Sequence, residues 1–293
     1  MLSIRREIVE ELLKEQEQRV SSVLDAARRA RTPANRRKRW HAYEDAVDAV
    51  VTEYKRRSVD RPDATVLHRA FVLWNCLGQT GEPEDLDLAS TPPHVRRRIM
   101  EQLGVAGESV GLYRGVAQDI GEVARGGKVL ELGCGGGELA EVVAREVGCE
   151  VLATDIDDSS FPVHAPPGVT FQVADAADLA EFERDSVDVA VCTLMLHHLP
   201  AGKAARVLAE MNRVASRGAY VLDLGRVPVV PSLFQMAGKL FYDERFVHDG
   251  VVSFARARTL TELGLLARLA GWEGYSLRRR FPAFSVLASQ AFD

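Results

Sequence analysis

The stretch KVLELGCGGGELA, residues 128–140, decides the fold of this chain. An apolar strand at residues 128–132 ends in a run of glycines, and apolar residues at helical spacing resume at Leu139. Because glycine has no Cβ, it allows a tight turn and a close approach of the backbone to a ligand. The first turn of the next helix has N–H groups without partners inside the helix, which attract a negative group. The pattern predicts a strand–turn–helix unit that holds a nucleotide-like ligand.

The alternation of strands and helices continues to the end of the chain. Strands that alternate with helices indicate a parallel sheet covered on both faces, so we expect a seven-stranded, mostly parallel α/β sheet. Ligands of such sheets bind beyond the carboxyl ends of the strands, where the winding reverses. The expected strands are residues 128–132, 150–154, 169–173, 187–194, 219–222, 274–280 and 283–288, and the expected helices are residues 139–147, 201–215 and 260–270.

Residues 1–108 are expected to form an α-helical N-terminal extension, and residues 109–293 the α/β domain. Apolar residues recur at helical spacing in three stretches of the extension, residues 4–27, 40–54 and 65–77, and helices at 95–103 and 110–123 lead into the domain. Two interpretations stay open. The extension could be a lid whose Phe71 and Trp74 exclude water from a site, or its apolar stripe could pair two chains in a homodimer.

Composition excludes several classes of protein. The 293 residues carry a net charge of −5, which argues against a nucleic-acid partner for the chain as a whole. The first residues lack the apolar core of a signal peptide, and the longest apolar run is too short for a membrane span, so we expect a cytoplasmic protein. The four cysteines form no C-x-x-C pair, so no metal site is expected. The basic residues 28–39 could contact RNA or an acidic carrier protein, or could be a solvated helix end.

Three acidic side chains follow or end strands near the glycines. Asp155 ends the second strand, where it could bind ribose hydroxyls, and Asp175 follows the third, where it could bind an adenine amine or cap a helix. The spacing Gly135-x-Gly137-x-x-Ala140 also satisfies a dinucleotide fingerprint. However, Glu131 stands where it would repel a pyrophosphate and attract an ammonium group. The acids therefore favour S-adenosylmethionine over a nicotinamide cofactor.

As a set, these motifs resemble the class I methyltransferases of the broad type 11 kind, from about residue 109 to the C-terminus. The motifs are Glu131-x-Gly133-x-Gly135-x-Gly137, Asp155, Ala174-Asp175-Ala176 and Leu196-His197-His198-Leu199. The resemblance implies a Rossmann-like sheet and S-adenosyl-L-methionine as methyl donor, with S-adenosyl-L-homocysteine as product.

The resemblance also implies roles for single residues. Glu131, Gly133 and Gly135 would line the methionine part, and Asp155 would hold the ribose. Ile156 would pack on the adenine, while Asp175 and Ala176 would contact its edge. Residues 157–168 contain three prolines where the family has a helix, so one face of the adenine pocket is expected to be an irregular loop.

The acceptor is expected to be a small organic molecule, methylated on oxygen or carbon rather than nitrogen, in specialised metabolism. An aromatic-rich insertion near residues 228–256 lies where it would roof the acceptor site. His248 beside Asp249 is the leading candidate base, with a surface histidine as the alternative. His197 and His198, after the fourth strand, are further candidates that could instead shape the pocket.

Two other functions remain open: a methyltransferase of a macromolecule that docks through residues 28–39, and an S-adenosylmethionine-binding module without methyl transfer. The chain lacks the Asn/Asp-Pro-Pro-Tyr/Phe motif of the enzymes that methylate amino groups of adenine or glutamine. It also lacks a Pro-Cys dipeptide, which argues against methylation of cytosine C5 through a cysteine adduct. No Asp-Asn pair stands where metal-dependent catechol methyltransferases place one, so no magnesium is expected.

Overall fold

A computed structural model of the protein describes residues 2–30, 32–60, 84–88, 90–227 and 230–292. The third amphipathic stretch at residues 65–77, with Phe71 and Trp74, lies outside these described residues.

A seven-stranded sheet forms the centre of the domain, as the sequence predicts. Its strands run in the order β3-β2-β1-β4-β5-β7-β6, with β1 to β5 parallel and β7 antiparallel to both of its neighbours. The winding reverses between β1 and β4, which places the expected ligand crevice at their carboxyl ends. The strands are β1 Lys128–Leu132, β2 Glu150–Asp155, β3 Val169–Val173, β4 Val187–Thr193, β5 Ala215–Leu224, β6 Tyr275–Arg280 and β7 Phe284–Ser289.

Helices cover both faces of the sheet because alternate side chains of each strand point to opposite sides. Val129 of β1 belongs to the core under two helices, and Leu130 belongs to the core under two others. With both faces buried, the central strands are almost entirely apolar. The first pair is α4 Leu112–Ala124 and α5 Glu138–Val147, and the second is α6 Ala201–Val214 and α9 Leu260–Leu269.

The N-terminal extension begins with two long helices, α1 Leu2–Arg28 and α2 Pro33–Asp60, that pack on each other and on the second pair. The apolar stripe of α1, including Leu12 and Leu24, is buried within the same core as α6 and α9. The Tyr43 hydroxyl of α2 donates a hydrogen bond to the Leu269 carbonyl at 3.0 Å. The stripe that suggested pairing of two chains is therefore covered by this chain itself.

The remaining helices are α3 Pro93–Ser109, which precedes α4, and two helices of the insertion, α7 Val230–Gly238 and α8 Glu244–Arg256. The insertion, for which the sequence predicted no secondary structure, is therefore largely helical, and His248 lies on α8. Asp243 caps the N-terminus of α8 by accepting a hydrogen bond from the Phe246 N–H, and Phe234 packs against Phe254 at 5.7 Å between ring centroids. Among the described residues, none of these helices has the length and apolar character needed to cross a membrane.

Candidate active site

The glycine turn between β1 and α5 adopts a backbone that other residues rarely adopt. Gly133 and Gly135 have φ angles of +70° and +52°. A Cβ at Gly133 would lie 2.6 Å from Met195 Sδ, and one at Gly135 would collide with the terminal methyl of Met100. Gly137, with φ +85°, packs against Phe171 behind the turn. Both backbone angle and space therefore require glycine at these positions.

A cleft of about 360 Å³ opens at the carboxyl ends of β1, β2, β3 and β4. It contains every residue that the resemblance implies for the cofactor except Gly137, which supports the turn from behind. The predicted residues in its lining are Glu131, Gly133, Gly135, Asp155, Ile156, Asp175 and Ala176. Helix α3 adds Arg96, Met100 and Leu103, which sequence reasoning did not assign.

Glu131 is a buried carboxyl group whose Oε2 has no hydrogen-bond partner among the described residues. Burial, followed by the charge of Glu138, raises its pKa to about 8. An ammonium group in the cleft would both pair with this oxygen and favour the charged carboxylate. The site therefore fits the amino group of adenosylmethionine and would repel a pyrophosphate.

Asp155 is the last residue of β2 and Ile156 follows it, beside the glycine turn. Asp155 Oδ2 accepts a hydrogen bond from the Gly135 N–H at 3.0 Å, which fixes the carboxylate beside the turn. Ile156 is 66% exposed although it is apolar and lines the cleft. Apart from a short turn at Asp158–Ser160, the crossover to β3 is irregular, as its prolines predict.

Asp175 is engaged on both of its oxygens. Oδ1 accepts a hydrogen bond from the Ala177 N–H at 2.9 Å, and Oδ2 lies 3.8 Å from Lys203 Nζ. These bonds close a turn at residues 175–178, and the described residues 174–186 contain no helix for Asp175 to cap, so the capping role that the sequence left open is not found. Contact with an adenine amine stays a prediction for this residue.

A second pocket, of about 250 Å³, adjoins the cofactor cleft. Both cavities are lined by Leu86, Leu103, Leu194 and His198. The walls of the second pocket come mostly from apolar side chains of α3, α7, α8 and β7, and its polar groups gather on one side. The apolar residues include Ile99, Leu112, Phe234, Phe246, Phe254 and Phe284, and the polar ones include Glu84, His197 and Asp249.

His197 lies in the wall of this second pocket and forms a buried pair with Asp223, at the end of β5. Its Nδ1 lies 2.5 Å from Asp223 Oδ1, and its backbone N–H donates to Oδ2 at 2.9 Å. Burial raises the pKa of the Asp223 carboxyl, but the charge of His197 and its hydrogen bond outweigh burial and lower it overall. Because a carboxylate only accepts, Nδ1 carries the proton and Nε2 is left as the acceptor.

Glu84 lies on the other side of the two histidines. Its Oε1 is 3.9 Å from His197 Nε2 and 3.8 Å from His198 Nδ1. These three groups have the spacing of metal ligands. However, the Arg256 guanidinium approaches Glu84 Oε1 to 3.5 Å and supplies positive charge at the same point. We therefore interpret the group as a cluster of ionisable side chains paired by charge.

His248 is not brought to either cavity, so its assignment as the leading base is corrected. Its side chain is 54% exposed on α8 and lines a separate surface groove. The next residue, Asp249, is buried and accepts hydrogen bonds from the N–H groups of Asp85 and Leu86, and its Oδ1 also lies 3.5 Å from His248 Nδ1. Asp249 thus anchors the segment that carries Glu84.

Comparison with known proteins agrees with this geometry. A family model described as "Methyltransferase domain" matches residues 130–222. The ubiquinone biosynthesis O-methyltransferase of Bordetella pertussis is 30% identical over 175 residues, 57% of this chain and 70% of that protein. The protein of the same name from Neisseria meningitidis serogroup C is 32% identical over 155 residues, 50% of this chain and 64% of the relative.

The aligned part of the chain spans 41%, 64% and 65% of the length of three of the curated relatives, all of them ubiquinone biosynthesis O-methyltransferases. Human N-acetylserotonin methyltransferase, solved with S-adenosylmethionine, shares the fold over 98% of this chain and 93% of that one, with a TM-score of 0.53 and 16% identity. The sheet order, the glycine turn with its two acids and these relatives agree that the chain belongs to the class I S-adenosylmethionine-dependent methyltransferases.

Proposed function

We propose that the protein methylates a hydroxyl group of a small organic acceptor, and that His197 takes up the proton of that hydroxyl. The observation that carries the proposal is the buried His197–Asp223 pair in the wall of an apolar pocket beside the cofactor cleft. The names of the curated relatives, which are O-methyltransferases, support oxygen as the methylated atom.

Adenosylmethionine, when bound, supplies a methyl group on a sulfonium, whose leaving group needs no further activation. The protein's task is then to hold and align its ligands, which alone can supply a large part of the acceleration. Glu131 would bind the amino group through its unpaired oxygen, and Asp155 would accept hydrogen bonds from the ribose hydroxyls. Ile156 offers an exposed apolar surface to the adenine.

The apolar pocket would hold the acceptor and exclude water from it. Phenylalanines from α7 and α8 form much of its wall, which suits a flat hydrophobic body. The polar groups lie together near Leu194 and His198, which the pocket shares with the cofactor cleft. An acceptor hydroxyl would therefore be directed towards the methyl donor.

Proton removal is the step for which this chain offers a specific device. Asp223 fixes the proton on Nδ1 of His197, so in the neutral imidazole Nε2 carries the lone pair, and this atom lies 3.9 Å from Glu84 Oε1, which also lines the pocket. A histidine so oriented can take a proton as the hydroxyl oxygen attacks, and the carboxylate stabilises the imidazolium that forms. An amine acceptor would not need this device.

The macromolecular alternative is weakened by the use of part of the basic stretch inside the protein. Arg28 donates to the carbonyls of Ala209 and Ala270, and Arg36 pairs with Asp178 and Glu210. Among the basic residues of this stretch that the structure describes, Arg29, Arg37, Lys38 and Arg39 remain exposed.

The test has two stages. Calorimetry with S-adenosylhomocysteine, with NADH as comparator and Asp155→Ala as control, examines the cofactor site. Transfer of labelled methyl to a panel of phenols then compares wild type, His197→Asn and the surface variant His248→Asn. We expect His197→Asn, which keeps an N–H towards Asp223, to bind S-adenosylhomocysteine normally and to lose most of its kcat. Full activity of this variant, or cofactor binding without turnover on any acceptor, would refute the proposal.

A further inference from the structure

The turn that carries the two histidines, Leu196–His198, is short, and two arginine side chains donate hydrogen bonds to backbone carbonyls in and beside it. Arg258 donates from Nη1 to the Leu196 carbonyl and from Nη2 to the Leu199 carbonyl, both at 2.5 Å. Arg256 donates from Nη2 to the His198 carbonyl at 2.7 Å. One arginine at the end of the insertion and one just beyond it thus hold two carbonyls of the turn and that of the residue after it.

We propose that Arg258 is a positioning residue for methyl transfer, which holds the His197 turn so that Nε2 of the imidazole faces the acceptor pocket. The inference rests on the proposed role of His197 as base. Arg256 has a supporting part, because it ties the same turn to Glu84.

The backbone of Arg258 is itself fixed beside the strand that carries Asp223. Arg258 pairs with Gly225, two residues beyond Asp223, and its carbonyl accepts a hydrogen bond from the Arg226 N–H at 3.2 Å. The arginine therefore joins the end of β5 to the turn after β4. His197 and its partner Asp223 lie on these two segments, so the arginine sets the distance between them.

A guanidinium is needed here for its shape as much as for its charge. Its planar fork can reach two carbonyls at once, whereas a lysine ammonium is a single point of charge. Burial lowers the pKa of Arg258, while the charges of Asp223 and Glu262 raise it in part and those of Arg226 and Arg256 lower it. A half-buried cation is costly unless it is paired and hydrogen-bonded, and Arg258 has both acids nearby and two carbonyl acceptors.

The arrangement also connects the acceptor pocket to the base. Helix α8 lines the pocket with Phe246, Gly250 and Phe254, and it ends at Arg256, two residues before Arg258. A displacement of this helix by an ill-fitting acceptor would be passed to the carbonyls around His197. The pocket wall and the position of the base are thus parts of one structural unit.

The test compares Arg258→Lys and Arg258→Gln with Arg279→Gln, an exposed arginine on β6. Lysine keeps the charge beside Asp223 and loses the two-pronged hold, so it separates position from electrostatics. We expect kcat to fall roughly 10- to 100-fold in both Arg258 variants, since small misplacements of catalytic groups have effects of this size. The Kd for S-adenosylhomocysteine should stay within about twofold of wild type, because Arg258 does not itself line the cofactor cleft.

Nitrogen NMR of labelled histidines provides a readout that loss of stability alone would not change. In wild type, His197 should be protonated on Nδ1, and in Arg258→Lys the two tautomers should mix. If Arg258→Lys folds with wild-type kcat and an unchanged His197 spectrum, the inference is overturned. If Arg258→Gln fails to fold, the lysine variant decides. Wild-type kcat in His197→Asn would instead remove the proposed function on which the inference rests.

Discussion

Replacement of Asp223 by asparagine probes the candidate base most directly. The two carboxylate oxygens accept three hydrogen bonds in the structure: from the His197 backbone N–H, from His197 Nδ1 and from the Leu224 N–H. An amide has only one accepting oxygen, so in either orientation its NH₂ group faces a donor. If it faces the imidazole, His197 must carry its proton on Nε2 and can no longer act as a base.

The magnitude follows from the contacts that are lost. A buried hydrogen bond to a charged group contributes about 1.5–3 kcal/mol, and an unsatisfied buried donor costs about 1–3 kcal/mol. We therefore expect Asp223→Asn to lower the free energy of unfolding by about 2–4 kcal/mol at pH 7. The wrong imidazole tautomer should reduce kcat by roughly 10²- to 10⁴-fold, the range for a lost general base.

The pH dependence of the free energy of unfolding tests the role of the Asp223 carboxylate. The pKa of Asp223 is lowered in the folded protein, so its stabilising effect is present above the ordinary carboxyl pKa and is lost as the pH falls through the folded value. The difference in stability between wild type and Asp223→Asn should shrink in acid. Urea unfolding at neutral and acidic pH, together with kcat on the best phenol, measures both effects. A variant that keeps kcat within twofold of wild type would refute the assignment of His197 as base.

Three further predictions concern the two cavities. Because the pKa of Glu131 is raised to about 8, the cofactor-free protein should lose stability as the pH rises towards this value. At pH 7, S-adenosylhomocysteine should therefore bind with release of a proton from Glu131. Calorimetry in buffers of different ionisation enthalpy should detect this proton in wild type and not in Glu131→Gln. Gly133→Ala should abolish cofactor binding, whereas Gly148→Ala, with a similar positive φ and open space around it, should bind the cofactor normally. Both variants should lose about 1–2 kcal/mol of stability. Equal binding by the two would contradict the clash with Met195. Phe234→Ala should raise the acceptor KM about tenfold or more and leave the Kd for S-adenosylhomocysteine unchanged, and an unchanged KM would show that the acceptor binds elsewhere.

The cofactor cleft could be predicted from the sequence because each of its parts is a local pattern. A buried strand, a glycine turn and an acid at the end of the next strand lie within 28 positions, residues 128–155, and parallel pairing of β1 with β2 brings them together. The strands, which needed only apolar runs of the right length, lie within a few residues of their predicted ends. Physical constraints that act between near neighbours leave a visible trace in the sequence.

The proposed base, His197, could not be identified from the sequence in the same way. The sequence favoured His248 because an acid follows it, and the two side chains do approach to 3.5 Å, but the imidazole faces solvent and lines neither cavity. The partner of His197 is Asp223, 26 residues away on another strand. A polar residue inside the apolar strand β5 was the available signal, since buried carboxylates need partners. Nothing in the sequence near Glu84 indicates that it would meet the two histidines.

The division of the site between segments explains why the cofactor is evident and the acceptor is not. The family match covers residues 130–222, which hold the glycine turn, both nucleotide acids and the two histidines. The acceptor pocket is enclosed instead by α3, α7, α8 and the segment with Glu84, all outside that region. Within this division, Arg258 has a particular place, because it lies outside the matched region and holds the histidine turn inside it. Acceptor choice could then diverge through the enclosing helices, while the contact between their end and the histidine turn keeps the base aligned.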